Sequence, residues 1–120
     1  MSGDLAFFEI GVEDTARGRA FYEGLFGWTF EQGPSGGGFG ILTDKVAGGM
    51  HGGDPRGGTY LFFRVDDMDA ALTRVRELGG TVEAMDVEGD TDATARYGRF
   101  MLCRDNQGSP FGLYERPAAP

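Results

Sequence analysis

Apolar and polar positions along this chain change period twice, each time in the same order. Residues 7–12, Phe-Phe-Glu-Ile-Gly-Val, and 60–65, Tyr-Leu-Phe-Phe-Arg-Val, are short runs rich in aromatic and β-branched residues, the composition of strands. Each run ends at an acidic pair, Glu13-Asp14 or Asp66-Asp67, and passes into a helical stretch. In the second stretch Met68, Ala71, Leu72, Val75 and Leu78 form one apolar stripe at helical spacing, predicting a helix that lies on a sheet. In the first, Ala16, Ala20, Phe21, Tyr22, Leu25 and Phe26 make a broader face, mildly weakened by Gly18. Asp14 and Asp67 are placed to accept hydrogen bonds from the free amides of the first turn. Gly27 and Gly79-Gly80 can take the left-handed conformation that closes a helix. Three short strand candidates follow each helix: 28–31, 39–43 and 47–51, then 81–84, 99–103 and 111–115.

The two series are one pattern repeated. Residues 7–31 match residues 60–84 at an offset of 53, weakly in identity and strongly in pattern. Each half therefore reads as βαβββ, an α+β architecture, with module one at about 4–53 and module two at about 58–116. At 120 residues the chain has the length of a single domain, 1–120.

Composition adds limits to this picture. The 22 glycines cluster in 33–40 and 48–58, where they read as hairpin tips, bulges and mobile loops, and ten Phe imply an aromatic core. A net charge of −8 without a local stripe of Lys or Arg opposes nucleic acid and suits a neutral or cationic small molecule. One cysteine, Cys103, permits no internal disulfide or multi-cysteine zinc site, in keeping with a reducing compartment. No basic segment precedes an apolar run at the start, and no run reaches the roughly 18 apolar residues of a membrane span. A soluble cytoplasmic protein with no membrane partner is expected.

Two stretches carry a family resemblance. FFEIGVEDTARGRAFYEGLFGW resembles the opening strand and helix, and GRFMLCRDNQGSPFGLYE the closing hairpin, of the vicinal-oxygen-chelate superfamily, which includes glyoxalase I and the bleomycin-resistance proteins. The resemblance implies two βαβββ modules whose strands curl into a cupped mixed sheet around a ligand, usually across a dimer, so a homodimer is expected. It also implies a divalent metal held by side chains on the first and last strand of each module. Aligned by the repeat, those positions carry Phe7 and Gly49, then Tyr60 and Gly112. Phe and Gly offer no donor. A slip of the alignment would add Glu9 and His51, still a partial site. No metal and no cofactor are therefore expected, and without a Lewis acid glyoxalase and ring-cleaving chemistry are disfavoured.

What remains is binding. Alternation puts Phe7 and Glu9 on one face of their strand and Tyr60, Phe62 and Arg64 on the equivalent face of its counterpart. Phe8, Ile10, Val12, Leu61, Phe63 and Val65 then face the helices as core. The ligand-binding set comprises Phe7, Glu9, Tyr60, Phe62 and Arg64, with Trp28, Phe39, His51 and Tyr114 as additions; no residue is assigned a catalytic role. Plainer roles compete. Phe7, Phe39 and Phe62 can simply fill space, Glu9 and Arg64 can form an ion pair across the sheet, and His51 in GGMHGGD can be an exposed loop edge. Cys103 reads as a buried inert thiol, and the acidic run Glu83, Asp86, Glu88, Asp90 and Asp92 as a solvated loop. The leading functional reading is a non-catalytic protein that sequesters an aromatic or cationic natural product, as the bleomycin-resistance branch does. The alternatives are a metal-independent isomerase, cyclase or lyase in which Glu9 or His51 moves a proton, and an accessory subunit whose aromatic face binds protein.

Overall fold

Both helices begin where the acidic pairs put them. In the computed structural model, which describes residues 3–33, 37–83 and 97–117, Asp14 caps a helix by accepting from the Arg17 amide at 3.2 Å, and Asp67 does the same for Ala70 at 3.1 Å. Gly27 ends the first helix in the left-handed region at φ 69°. Leu78 ends the second and is followed by Gly79 at φ 94°.

The described residues divide into two compact units, those within 7–61 and those within 1–6 and 62–120. The elements of the first half are β1(Leu5–Gly11), α1(Thr15–Phe26), β2(Thr29–Gln32), β3(Phe39–Leu42) and β4(Ala47–His51). β1 pairs in parallel with β4, and β4 and β2 pair antiparallel with β3, giving the order β2-β3-β4-β1. The second half repeats it with β5(Gly58–Arg64), α2(Met68–Glu77), β6(Thr81–Glu83), β7(Arg99–Arg104) and β8(Pro110–Glu115) in the order β6-β7-β8-β5. The fold is α+β, a βαβββ motif used twice. Of the expected acidic loop, Asp86, Glu88, Asp90 and Asp92 lie outside the described residues, as does Ala84. Among the described residues no helix is long and apolar enough to cross a membrane.

Each unit buries one face of its sheet under its helix. In the first, Ile10, Phe30, Ile41 and Met50 form the core, with Phe8, Val12, Tyr22, Trp28 and Phe39 packed on it. In the second, Val65, Met68, Leu72, Met101, Cys103 and Leu113 do so, with Ala71, Val75, Val82 and Phe111. Burial raises the Cys103 thiol above its ordinary range, as an inert core sulfur requires. Gly18 is the place where α1 comes close to the sheet, since an added Cβ would stand 3.0 Å from the Met50 sulfur.

Three expectations about the core are corrected. Leu61 is exposed at 43%, not core. The broad face expected of α1 is mostly uncovered, with Phe21, Leu25 and Phe26 exposed at 61%, 58% and 56%. Phe62 does lie on the face away from α2, yet it is 2% exposed, because its ring lies across Gly112, its register partner on β8, and meets Phe100 edge-on. It fills space in the second unit rather than presenting its ring to solvent. Phe62→Ala is expected to lower the unfolding free energy by about 3 to 5 kcal/mol through lost burial and a cavity, and Gly112→Ala by about 1 to 3 kcal/mol through overlap with the ring. Denaturant melts read both; a Phe62→Ala variant as stable as the wild type would contradict this packing.

Candidate functional site

The helix-free face of the first unit carries a row with two bare backbone positions. Register aligns Glu31 with Gly40, Gly40 with Gly49 and Gly49 with Glu9, so one row across β2, β3, β4 and β1 has side chains only at its two ends. Both end residues are carboxylates that lean inward. The Glu31 side chain lies 3.3 Å from where a Gly40 Cβ would stand, and Glu9 Oε1 lies 2.5 Å from the corresponding point at Gly49. The Phe7 ring approaches the same Gly49 point at 3.1 Å. Two glycines side by side thus give both acids room to lie over the sheet: Gly49 is buried beneath Glu9 and Phe7, and Gly40 is half-buried beside Glu31.

At the Glu9 end the carboxylate is half of a larger array. Its Oε2 lies 2.6 Å from Nδ1 of His51, the last residue of β4, and the other ring nitrogen, Nε2, lies 3.1 Å from Oδ2 of Asp54. Tyr60 from β5 stands beside the imidazole with ring centroids 6.2 Å apart. Burial pushes the Glu9 carboxyl above its ordinary value, against the hydrogen bond and charge of His51. Burial works against a charged His51 too, but its hydrogen bonds to Glu9 and Asp54, and their charges, outweigh it and raise the imidazole above 6.5. Asp54 is held below the ordinary carboxylate value by its bond to His51 and then by the Gly57 amide, against a desolvation penalty. Glu9 and His51 thus compete for one proton, so their titrations belong to the pair.

The sequence-derived set is only partly brought together. Phe7, Glu9, His51 and Tyr60 share this site. Phe62, Arg64 and Tyr114 lie in the second unit on its helix-free face, where Phe62, Phe100 and Tyr114 form an aromatic row with centroids 5.4 and 4.7 Å apart. Trp28 and Phe39 are corrected: both belong to the helix side of the first unit. Trp28 packs with Phe8, Tyr22 and Phe26, and Phe39 sits under the Arg19 guanidinium of α1 and edge-on to Phe30. Glu9 pairs with His51, and Arg64 lies 3.7 Å from Asp66. His51 is no idle loop edge. Sequence reading missed Asp54, although Asp-Pro-Arg-Gly at 54–57 carries the residues of a type I turn that fixes an aspartate. It also missed Phe100.

A divalent ion does not fit the donors present. Register partners Gly49 with Glu9 and Gly112 with Phe62, two residues on from the Phe7 and Tyr60 of the repeat alignment. The first unit then offers one carboxylate, and the equivalent strand pair in the second offers a phenyl ring. His51 has a carboxylate against each nitrogen, so no lone pair is left for a metal. Among the described residues no cluster of three or more His, Cys, Asp or Glu is arranged to hold an ion.

Comparison with known proteins agrees with this architecture. Residues 7–114 match the family model of the glyoxalase-like domain. The anthracycline biosynthesis protein DnrV of Streptomyces peucetius is 32% identical over 139 aligned positions that cover 95% of this chain and 47% of that protein, so the chain spans about half the length of such relatives. Among solved structures, homoprotocatechuate 2,3-dioxygenase from Brevibacterium fuscum superposes with a TM-score of 0.70 at 19% identity, over 98% of this chain and 38% of that one. Methylmalonyl-CoA epimerase from Mycobacterium tuberculosis gives 0.60 at 21% identity, over 97% and 89%. With the βαβββ motif present twice and the family model spanning both copies, the chain belongs to the glyoxalase-like domain family of the vicinal-oxygen-chelate superfamily.

Proposed function

We propose that the protein binds a small aromatic or hydrophobic natural product, cationic where it is charged, on the helix-free face of its first unit, and does so without a metal. The floor of Gly40 and Gly49 between Glu9 and Glu31 carries this reading. A planar ligand needs a side-chain-free surface to lie on, a ring to stack against, and polar groups at its rim to orient it. The half-buried strip at Gly40, Phe7 and Tyr60, and Glu9 with His51 supply these in turn. A net charge of −8 favours a cation. The name of the relative DnrV, an anthracycline biosynthesis protein, supports the same ligand class. Sequestration, and through it antibiotic resistance, needs nothing beyond such a site.

One observation favours a second reading, a metal-independent isomerase, cyclase or lyase. Glu9 is raised by burial, and its Oε1 is directed over the floor while Oε2 meets His51, an arrangement suited to moving a proton at a bound molecule. Recovery of the ligand distinguishes the two, since a binder returns it unchanged.

With doxorubicin as a planar cationic probe, the wild type is expected to melt at a higher temperature as probe concentration rises. Gly40→Leu, which fills the floor at a position where only the flexible Glu31 side chain must move, is expected to remove the shift, and Tyr60→Ala to weaken binding by about 1 to 3 kcal/mol. No shift with this probe or with a panel of aromatic natural products would reject the proposal. Elemental analysis of the purified protein is expected to find no stoichiometric zinc, nickel, iron or manganese, with chelators leaving the probe-induced shift intact; a metal near one per chain with loss of the shift on chelation would overturn the metal-free reading. A homodimer is also proposed, because Phe21, Leu25 and Phe26 leave an apolar stripe on α1. Sedimentation at micromolar concentration is expected to return twice the chain mass, and a monomer would refute it.

A further inference from the structure

Asp54 takes no part in the glycine floor, yet the surrounding chain is built to hold it against His51. It lies in the turn Asp54-Pro55-Arg56-Gly57, where the Gly57 amide donates both to the Asp54 carbonyl at 3.1 Å and to its Oδ1 at 3.0 Å. The turn is tied to the end of β1, with the Asp54 amide donating to the Val12 carbonyl at 3.1 Å and the Val12 amide to the His51 carbonyl at 2.9 Å. Gly11, on the same strand end, supplies an independent sign: a Cβ there would overlap Asp54 Oδ2 and stand 2.8 Å from His51 Nε2. The backbone of β1 is thus bare beneath the Asp54–His51 contact.

A half-exposed imidazole at the end of a strand has several rotamers and two tautomers open to it, and a carboxylate on Nε2 removes that freedom. Carboxylate oxygens accept, so Nε2 must carry its hydrogen. The proton between Nδ1 and Glu9 Oε2 is then the one that can change hands. We propose that Asp54 is a positioning residue: by accepting from Nε2–H it fixes the His51 ring, turns Nδ1 and its shared proton to Glu9, and thereby sets which Glu9 oxygen faces the Gly49 floor. The inference rests on the ligand-binding reading of that face. Among the described residues the groups facing the ring are Glu9 from β1, Asp54 from the turn and Tyr60 from β5.

His51 is the chain's one histidine, so its ring nitrogens give a single, assignable set of nitrogen-15 NMR signals without any ligand. In the wild type the ring is expected to titrate above 6.5 and to hold its Nε2–H form as it loses its second proton. A folded-state value raised above the unfolded one stabilises the protein fully below pH 6.5, and this contribution is lost as pH rises through the folded value. Asp54→Ala is expected to move the midpoint back towards 6.5, mix the tautomers, flatten that pH dependence and weaken doxorubicin binding about tenfold or more, the loss expected when an orienting partner is removed. Asp54→Asn, whose one amide oxygen cannot accept both from the Gly57 amide and from Nε2–H, is expected to lower the midpoint in the same direction as Asp54→Ala. Amide spectra verify that each variant is folded. Unchanged His51 titration and tautomer in Asp54→Ala would overturn the inference. So would altered His51 signals with unaltered probe binding while Gly40→Leu still abolishes it, an outcome that leaves the proposed function standing. Failure of the wild type to bind any probe would instead overturn the proposed function, and the NMR comparison would still decide what Asp54 does.

Discussion

A side chain can lie across a neighbouring strand only where that strand has nothing to put in the way. The parallel pairs β1–β4 and β5–β8 depend on this exclusion. Phe8 lies over Gly48 on the helix side, Glu9 over Gly49 on the other, and Phe62 over Gly112. Remove the bare position and the large residue must stand up from the sheet, which changes the core in one case and the site in the others. Because protein interiors pack to near crystalline density, the neighbours have little room to absorb such a change.

The same framework then holds different chemistry in its two halves. Glu9 over Gly49 and Phe62 over Gly112 occupy corresponding places in the repeat. The first brings a carboxylate within reach of an imidazole, and the second seals the sheet with a phenyl ring. In the first unit the next strand inward has Gly40 in the row, which extends the bare surface. In the second it has Leu102, which closes it. One motif therefore yields a polar row over glycines and a filled aromatic row, and the difference lies in a handful of side chains at fixed register.

Much of the fold was legible because local and global signals coincide in this chain. The acidic pairs, the helical stripe of Met68, Ala71, Leu72 and Val75, and the closing glycines each predict an element alone, and the repeat predicts them again. The site was legible in part. Alternation tells which residues share a face of one strand, so Phe7 with Glu9 and Phe62 with Arg64 were paired correctly. It says nothing of which face another strand turns to the helix, so Phe39 was assigned to the wrong side. Trp28 precedes β2, where alternation has no meaning. Depth is also invisible to it, since Phe62 owes its burial to a glycine on a strand far along the chain. Asp54 was hidden for another reason: its role comes from a turn that returns to β1, and only the tertiary hydrogen bond to Val12 shows where that turn sits.

The bare positions also constrain how such a chain can change over time. At Glu9 and Gly49 the two residues vary together, because a side chain gained at 49 displaces Glu9 Oε1 and with it the carboxylate that meets His51. The reverse order is open: residue 9 can become small while 49 stays glycine, leaving a hollow that costs stability without a clash. A donor gained at 49 therefore moves the Glu9 carboxylate and tests the Glu9–His51 contact at the same step. The two orders of change thus differ in kind, one leaving a hollow and the other moving a charge.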